Sequence, residues 1–314
     1  MAVEIKENIL LAPFTIYKIG GPARFFAEVK NAGELEEALR FAYDKDVPFF
    51  IMGAGSNTLV ADRGFEGLAI RMVGGEIRIE GERLIAPAGV MMARASAGAA
   101  HAGLGGFSWA IGVPGTVGGS VRGNAGCFGH EMKDVVDSVM IFDAAKAMGY
   151  QLPATQCQFG YRDSAFKRHP EWIVLSATLK LHRGDPALIR EEIHRTSAER
   201  ASKQDIGSKS CGCVFKNPAW HDTEKTKEAL IAHFPELAEF ASRDRIPAAL
   251  LIDHAGLKGT RVGHIIISHR HGNFFLNEGG GTAEDVVRLA TIARDAVFKK
   301  YGIVLHEEIQ RVGF

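Results

Sequence analysis

Two stretches of small residues contain groups that could hold a phosphorylated ligand. The first is FFIMGAGSNTLV, residues 49–60, in which Gly53 and Gly55 follow four apolar residues. Glycines let the main chain adopt dihedral angles that other residues avoid, and they let a ligand approach the backbone closely. Successive N–H groups in such a turn form a concave site for phosphate or pyrophosphate, to which Ser56 and Asn57 add side-chain donors. The stretch therefore indicates either a phosphate-binding turn or a tight turn between two strands.

The Rossmann dinucleotide loop is the obvious alternative for this stretch, but the spacing does not fit it. That loop contains a third glycine and opens a helix. Here Thr58 occupies the place of the third glycine, and the sequence Asp-Arg-Gly at residues 62–64 interrupts the chain shortly afterwards. No helix is therefore expected after the turn.

The second stretch is GVPGTVGGSVRGNAG, residues 112–126. Few ordinary turns need so many small residues in a row. We interpret the stretch as a loop whose backbone packs directly against a flat or phosphate-bearing ligand, with Ser120 and Asn124 as polar contacts. A glycine-rich loop that is packed for structural reasons alone is the alternative.

The pair Cys211 and Cys213 supplies thiols, but its surroundings argue against a metal site. A zinc knuckle needs four ligands, usually from two Cys-x-x-Cys pairs, and this sequence has no second pair. A disulfide between residues spaced Cys-x-Cys would be strained. What remains is either one reactive thiol or an inert small residue.

Several polar residues could contact a charged substrate, although each is also typical of an exposed loop. Arg162 has a planar guanidinium group that would bind a substrate carboxylate with two hydrogen bonds. Lys216 and Asn217 could contact phosphate or form an exposed turn. Glu308, near the end of the chain, is by default a surface carboxylate.

Composition indicates an ordinary globular protein of two or three domains. The 314 residues include 37 Lys+Arg and 37 Asp+Glu, so no net charge attracts nucleic acid or an anionic membrane. We see no apolar run long enough to span a bilayer and no signal-peptide pattern at the start. Four scattered cysteines do not make a disulfide framework, which favours a reducing cytoplasm.

A β-α-β unit is predicted to position the first small-residue stretch. Asn31 is a typical N-cap, and the helix that it begins ends before Pro48, where a strand at residues 49–52 follows. The apolar residues on one face of this helix are Leu35, Ala38, Leu39 and Ala42.

Two further helices are predicted from their local signals. An Ala-rich helix is expected over residues 91–110. The last helix begins at Thr282 with Asp285 three residues later, which is a capping box, and it ends at Gly302. A terminal strand is predicted over residues 303–312.

Eight segments, in this order and at these approximate spacings, resemble the UDP-N-acetylenolpyruvoylglucosamine reductase family. They are IGGPA (residues 19–23), GAGSN (53–57), VPGTVGGSVRGNAG (113–126), FGYRDSAFK (159–167), GCVFKNP (212–218), LIDHAGLKG (251–259), SHRHGNFFLN (268–277) and LHEEI (305–309). The chain resembles the shorter type, which lacks a tyrosine-bearing insertion. It departs from the family in His306, where an acidic residue is usual, and in a longer segment between Asn217 and Leu251.

The resemblance implies an α+β protein with an FAD-binding fold of the vanillyl-alcohol-oxidase (PCMH) type. Its two FAD-binding sub-domains would be residues 1–75 and residues 76–207, the second joined by the terminal strand 303–314. Residues 208–302 would form a C-terminal α/β domain that binds substrate.

The resemblance also implies the residues of each site. FAD would be held by Gly53, Ala54, Gly55, Ser56, Asn57, Pro114, Gly115, Gly118, Gly119, Ser120, Asn124, Ala125 and Gly126. The substrate would be held by Tyr161, Lys216, Asn217 and Asn273. No metal is expected.

Three positions match the catalytic residues of the family. Arg162 would bind and polarise the enolpyruvyl carboxylate, and Glu308 would assist that polarisation. Cys213 lies where the family more commonly has a serine that donates a proton. A thiol with an ordinary pKa of about 8.5 is a stronger acid than an alkyl hydroxyl and stays mostly protonated near neutral pH, so it is a competent substitute.

The implied activity is the NADPH-dependent reduction of UDP-N-acetylglucosamine enolpyruvate to UDP-N-acetylmuramate through bound FAD, in bacterial peptidoglycan precursor synthesis. We expect a cytoplasmic monomer. Two alternatives are an FAD oxidase of the same fold that acts on a sugar or alcohol, and a flavin-free nucleotide-binding module. Oxygen consumption with simple sugars would identify the first, and a colourless protein that takes up no FAD would identify the second.

Overall fold

A computed structural model describes residues 3–203, 205, 207–223 and 225–314. The chain divides into two compact units. The first comprises the segment that ends at Leu10, together with Pro22–Gly55 and Phe65–Ser202. The second comprises Leu11–Gly21, Ser56–Gly64 and Lys203–Phe314. Each unit has its own hydrophobic core.

The described residues form eight α-helices and eighteen strands. The helices are α1 Ala32–Asp44, α2 Met92–His101, α3 Val117–Gly123, α4 Ala165–Arg168, α5 Pro186–Lys203, α6 Lys227–His233, α7 Ala248–His254 and α8 Ala283–Tyr301. The strands are β1 Ile5–Leu10, β2 Pro22–Val29, β3 Phe49–Met52, β4 Thr58–Val60, β5 Phe65–Met72, β6 Arg78–Glu80, β7 Arg83–Pro87, β8 Leu104–Gly105, β9 Gly126–Cys127, β10 His130–Glu131, β11 Val136–Asp143, β12 Met148–Pro153, β13 Trp172–Lys180, β14 His182–Arg183, β15 Arg261–Val262, β16 Ile265–Ile267, β17 Phe275–Asn277 and β18 Gln310–Val312.

The first sheet of the first unit has the strand order β1-β2-β5-β3. β1 and β2 are antiparallel, whereas β5 runs parallel to both β2 and β3. The chain passes from β2 through α1 to β3, which confirms the predicted β-α-β unit. The Asn31 side chain accepts a hydrogen bond from the Glu34 N–H at 3.0 Å, and the four apolar residues predicted on one face of α1 are all buried.

The second sheet of the first unit is antiparallel, with the order β12-β11-β13-β7-β6. The helix predicted over residues 91–110 covers only part of that range, because α2 ends at His101. Gly103 has a φ of +67°, and a left-handed residue cannot continue a right-handed helix. β8 and a short 3-10 helix at Ser108–Gly112 follow instead.

The second unit contains an antiparallel sheet in the order β15-β16-β17 and a parallel pair of β4 with β18. α8 confirms its predicted ends: Thr282 and Asp285 form the capping box, with both hydrogen bonds at 3.1 Å, and Gly302 is left-handed at the C-cap. The predicted terminal strand is shorter than expected, because only Gln310–Val312 pairs regularly. Residues 303–309 instead make isolated bridges to Thr223 and Phe215.

Helices and strands in both units confirm the α+β class. Residues 303–314 lie in the second unit, since β18 pairs with β4 of that unit. Residues 204 and 206, near the predicted boundary at 207, lie outside the described residues. The division into three domains stays a prediction. None of the helices in the described part of the chain has the length and apolar character needed to cross a membrane.

Candidate functional site

The two small-residue stretches meet inside the first unit. A Cβ atom added at Gly53, directly after β3, would lie 2.3 Å from Oγ1 of Thr116. The backbone at Gly53 therefore packs directly on the residue that precedes α3. Gly55 and Gly115 have φ values of +61° and +110°, which side-chain-bearing residues rarely adopt.

The second stretch is not wholly a loop, because residues 117–123 form α3. Thr116 caps this helix by accepting a long, 3.5 Å hydrogen bond from the Gly119 N–H. The first two N–H groups of the helix donate to the carbonyls of Val90 and Ala88 at 2.8 and 3.0 Å. A Cβ at Gly118 would lie 2.7 Å from the Ala88 Cβ, so glycine allows this close contact.

The predicted FAD-binding residues differ in their surroundings. Pro114 and Gly119 are exposed, whereas Gly118, Ser120 and Asn124 are buried. Around Gly119 the nearest atom that an added Cβ would meet is 3.7 Å away, so α3 exposes bare backbone at this residue. The exposed backbone at Gly119 fits a flat or phosphate-bearing cofactor, and the packing of Gly53 on Thr116 holds the two stretches together.

Ser56 and Asn57, which complete the first stretch, belong to the second unit. Asn57 connects to the end of the chain there: its side-chain N–H donates to the Glu308 carbonyl at 3.0 Å. Its own carbonyl accepts from the Gln310 N–H at 2.8 Å. One of the predicted cofactor contacts is thus hydrogen bonded to a predicted catalytic residue.

Arg162 lies in a tight turn of the first unit. Gly160 and Asp163 exchange backbone hydrogen bonds of 2.9 and 3.2 Å, and Arg162 between them is left-handed, with a φ of +52°. One guanidinium N–H of Arg162 donates to the Gly126 carbonyl at 3.0 Å, and the group lies 5.4 Å from the Tyr161 ring centroid. The turn therefore holds a half-buried cation in a defined direction.

Cys213 and Glu308 lie on segments that pair with each other in the second unit. The Glu308 N–H donates to the carbonyl of Val214, next to Cys213, at 2.8 Å. On the other side, Val214 donates to the Asn273 carbonyl at 2.9 Å, and Cys213 bridges to Phe274. The segment 213–216 is therefore held between two others, and two of the three predicted catalytic residues are brought close in the fold.

The two neighbouring cysteines differ in their surroundings. Gly212 has a φ of +72° and turns the chain, so that Cys211 is buried and Cys213 is half-buried. The Cys211 thiol donates to the Thr58 carbonyl at 3.4 Å, and burial raises its pKa far above the ordinary value. Cys211 is therefore a core residue, and Cys213 is the partly exposed thiol of this pair.

The asparagines predicted to contact substrate also bond to the backbone. Asn273 is buried and accepts from the Phe215 N–H at 2.9 Å while it donates to the Phe215 carbonyl at 2.8 Å. The Asn217 side chain accepts from the Ala248 N–H, the first of α7, at 3.0 Å. Lys216 is half-buried, and its N–H donates to the His306 carbonyl at 2.8 Å. Their contacts with substrate stay predictions.

Thr116 is a residue that sequence reasoning missed. Its signal is a threonine followed by a run that could be helical, which is a typical N-cap pattern. The glycines that follow argue against a helix in a sequence-based prediction, because glycine disfavours the helical conformation. Within the described ranges we find no group of three or more His, Cys, Asp or Glu side chains that could hold a metal ion.

Known proteins with similar sequences match nearly the whole chain. The model of an FAD binding domain matches residues 23–149, and the model of the UDP-N-acetylenolpyruvoylglucosamine reductase C-terminal domain matches residues 204–312. A UDP-N-acetylenolpyruvoylglucosamine reductase of Synechococcus sp. is 38% identical over 98% of this chain and 91% of its own length. That of Solibacter usitatus is 34% identical over 98% and 97%.

A solved structure is similar over the same extent. The crystal structure of UDP-N-acetylenolpyruvylglucosamine reductase from Thermus caldophilus has a TM-score of 0.76 and 31% identity, and the match covers 99% of both chains.

Proposed function

Because this chain belongs to the UDP-N-acetylenolpyruvoylglucosamine reductase family, we propose that it reduces UDP-N-acetylglucosamine enolpyruvate to UDP-N-acetylmuramate with NADPH, in peptidoglycan precursor synthesis. The chain is an FAD-dependent oxidoreductase with an FAD-binding fold. The observation that supports the proposal is the backbone pairing of the segment that follows Cys213 with the segment that contains Glu308, because it places these two proposed residues on adjacent segments of one unit.

When bound, FAD would supply the hydride-transfer chemistry that links NADPH to the substrate. The residues proposed to hold it are the two small-residue stretches, which pack on each other at Gly53 and Thr116 and expose backbone at Gly119. We propose the three-part division at residues 75 and 207 for the domains, with residues 208–302 binding substrate.

Arg162 is proposed to bind the enolpyruvyl carboxylate. Hydride addition leaves negative charge that spreads into this carboxylate, and a fixed guanidinium lowers the barrier because it needs little reorganisation. The hydrogen bond to Gly126 and the left-handed turn keep the Arg162 side chain in place beforehand. Glu308 would assist this polarisation.

Cys213 is proposed to protonate the carbon next to the carboxylate. General-acid catalysis contributes about 10²–10⁴-fold, and it requires a group that is protonated at the working pH. Lys216, Asn217, Asn273 and Tyr161 are proposed contacts to the substrate. We further propose that the enzyme is a monomer and acts in the cytoplasm, where its four cysteine thiols would stay reduced.

Cys213→Ala tests the proposal in two half-reactions. We expect the variant to keep FAD and to be reduced by NADPH, yet to reoxidise with substrate at least about 100-fold more slowly than the parent. Cys213→Ser should keep appreciable turnover, because a hydroxyl can also donate a proton. Stopped-flow absorbance of the flavin follows both steps.

Cys157→Ala is a matched control, since that cysteine is buried in the first unit, among the core residues. It should reoxidise at the parental rate. Parental reoxidation by Cys213→Ala would refute its role as proton donor. Failure of the parent itself to reoxidise with this substrate would refute the proposed function.

A further inference from the structure

Asn124 ends α3 in a conformation that few residues adopt. Its φ is +42°, and its side chain is completely buried. Asparagine tolerates the left-handed region better than other side-chain-bearing residues. The backbone role of Asn124 is therefore to end the helix, and its side chain must find partners inside the protein.

The Asn124 side chain finds three such partners on two other segments. Its Nδ2 donates to Oε2 of Glu131 at 3.0 Å and to the carbonyl of Gly160 at 2.8 Å. Its Oδ1 accepts from the Lys133 N–H at 2.9 Å. Both amide hydrogens are thus used within the protein, and none is left to donate to a cofactor.

The Gly160 carbonyl is also the acceptor that closes the Arg162 turn. It accepts from the Asp163 N–H at 3.2 Å, so Asn124 and Asp163 share one oxygen. The guanidinium of Arg162 is held by the carbonyl of Gly126, only two residues after Asn124. The backbone turn and the guanidinium of Arg162 are therefore both hydrogen bonded to residues at the end of α3: the turn to Asn124 and the guanidinium to Gly126.

This turn needs external support. Arg162 is a long side chain in the left-handed region, a conformation that persists only where the surroundings enforce it. We infer that Asn124 is a positioning residue for Arg162 and that it aligns the guanidinium with the substrate carboxylate instead of contacting the flavin. The inference rests on the proposed function in so far as Arg162 binds that carboxylate.

Asn124→Gly tests the inference in the full-length holoenzyme. Glycine keeps the left-handed C-cap without strain and removes only the side-chain amide. We expect FAD to stay bound and to be reduced by NADPH, while reoxidation by substrate slows about 10–100-fold, as for a misplaced catalytic group.

A double-mutant cycle separates positioning from general damage. If Asn124 acts through Arg162, the double variant Asn124→Gly/Arg162→Ala should reoxidise within about twofold of Arg162→Ala alone. The matched control is Asn277→Ala, which removes another buried amide with three bonds, to Tyr17, Gly279 and Gly281. Its effect should multiply with that of Arg162→Ala.

Amide hydrogen exchange provides a readout that does not depend on the substrate. In Asn124→Gly we expect the Asp163 amide to exchange at least about tenfold faster, because its acceptor is no longer fixed. The Ala125 amide, which donates to the Ser120 carbonyl at 2.8 Å, should keep its protection and so show that α3 still ends correctly.

Three results would overturn the inference. They are unchanged exchange at Asp163, a multiplicative effect of Asn124→Gly with Arg162→Ala, or loss of FAD followed by parental reoxidation once FAD is restored. Lack of reaction between the parent and substrate would instead refute the proposed function, and the exchange at Asp163 would still decide the role of Asn124.

Discussion

Replacement of Gly53 by alanine should show how closely the two small-residue stretches pack. The added Cβ would lie 2.3 Å from Oγ1, 3.0 Å from Cγ2 and 3.2 Å from Cβ of Thr116. All three contacts are shorter than or at the limit of normal packing, and they belong to one buried side chain. Thr116 must therefore shift, or the backbone at Gly53 must move.

The cost can be bounded from these two possibilities. Inserting a methyl group into a packed region costs about 1–3 kcal/mol. If Thr116 rotates away, its cap on the Gly119 N–H is lost, which costs about 0.5–2 kcal/mol. The reduced freedom of the unfolded chain returns about 0.4–1 kcal/mol. Because the approach to Oγ1 is so close, we expect the upper part of the first range, about 2–3 kcal/mol. Subtracting about 0.4–1 kcal/mol leaves a net loss of about 1–2.6 kcal/mol, which corresponds to about 2–10 °C in the thermal midpoint.

Thermal unfolding of the apoprotein and titration with FAD measure the effect on packing and on the cofactor site. Thr116→Gly in the same background removes the clashing atoms and leaves a residue that still caps helices, at a cost of a few tenths of a kcal/mol. The double variant should therefore melt close to Thr116→Gly alone. Gly123→Ala is the matched control, because a Cβ there meets nothing within 4 Å. A parental midpoint for Gly53→Ala, or additive losses in the double variant, would refute this account of the packing.

Two further predictions concern buried polar groups. Asn273→Ala should destabilise the protein by about 2–4 kcal/mol in urea unfolding, because it leaves the Phe215 N–H and carbonyl buried without these partners; a loss below about 0.5 kcal/mol would contradict this. Burial raises the pKa of Cys157 to about 11. The folded state therefore keeps this proton where the unfolded state has lost it, and stability should fall between pH 9 and pH 11 by up to about 1.4 kcal/mol per pH unit. Cys157→Ala should flatten that slope, and an unchanged slope would show that other groups cause it.

The helix ends that depend on local signals could be predicted from the sequence. Asn31 caps α1, and Thr282 with Asp285 caps α8, because each bonds to backbone groups within four residues. Gly302 ends α8 for the same local reason. Such interactions involve only residues close in sequence, so they can be predicted from the local sequence alone.

α3 could not be predicted, because its stability comes from distant partners. Three of its seven residues are glycines, which disfavour a helix by about 1 kcal/mol each. The carbonyls of Ala88 and Val90 accept its first N–H groups, and the glycines permit this approach. Local propensity and tertiary packing oppose each other here, and packing prevails.

The motif asparagines show that a sequence motif can locate a residue near the site without revealing what its side chain contacts. The sequence predicted Asn124 and Asn273 as contacts to cofactor and substrate, and both side chains bond to backbone instead of standing free. The proposed catalytic residues lie in segments with few regular partners: Arg162 in a tight turn and Cys213 in an isolated bridge. Buried N–H and carbonyl groups in such segments still need hydrogen bonds. A buried amide offers both a donor and an acceptor, so an asparagine near a reactive residue can satisfy the backbone that holds it. An asparagine in a sequence motif is therefore equally consistent with a contact to a ligand and with a hydrogen bond to the protein backbone. Only the hydrogen bonds in the folded structure distinguish these two roles.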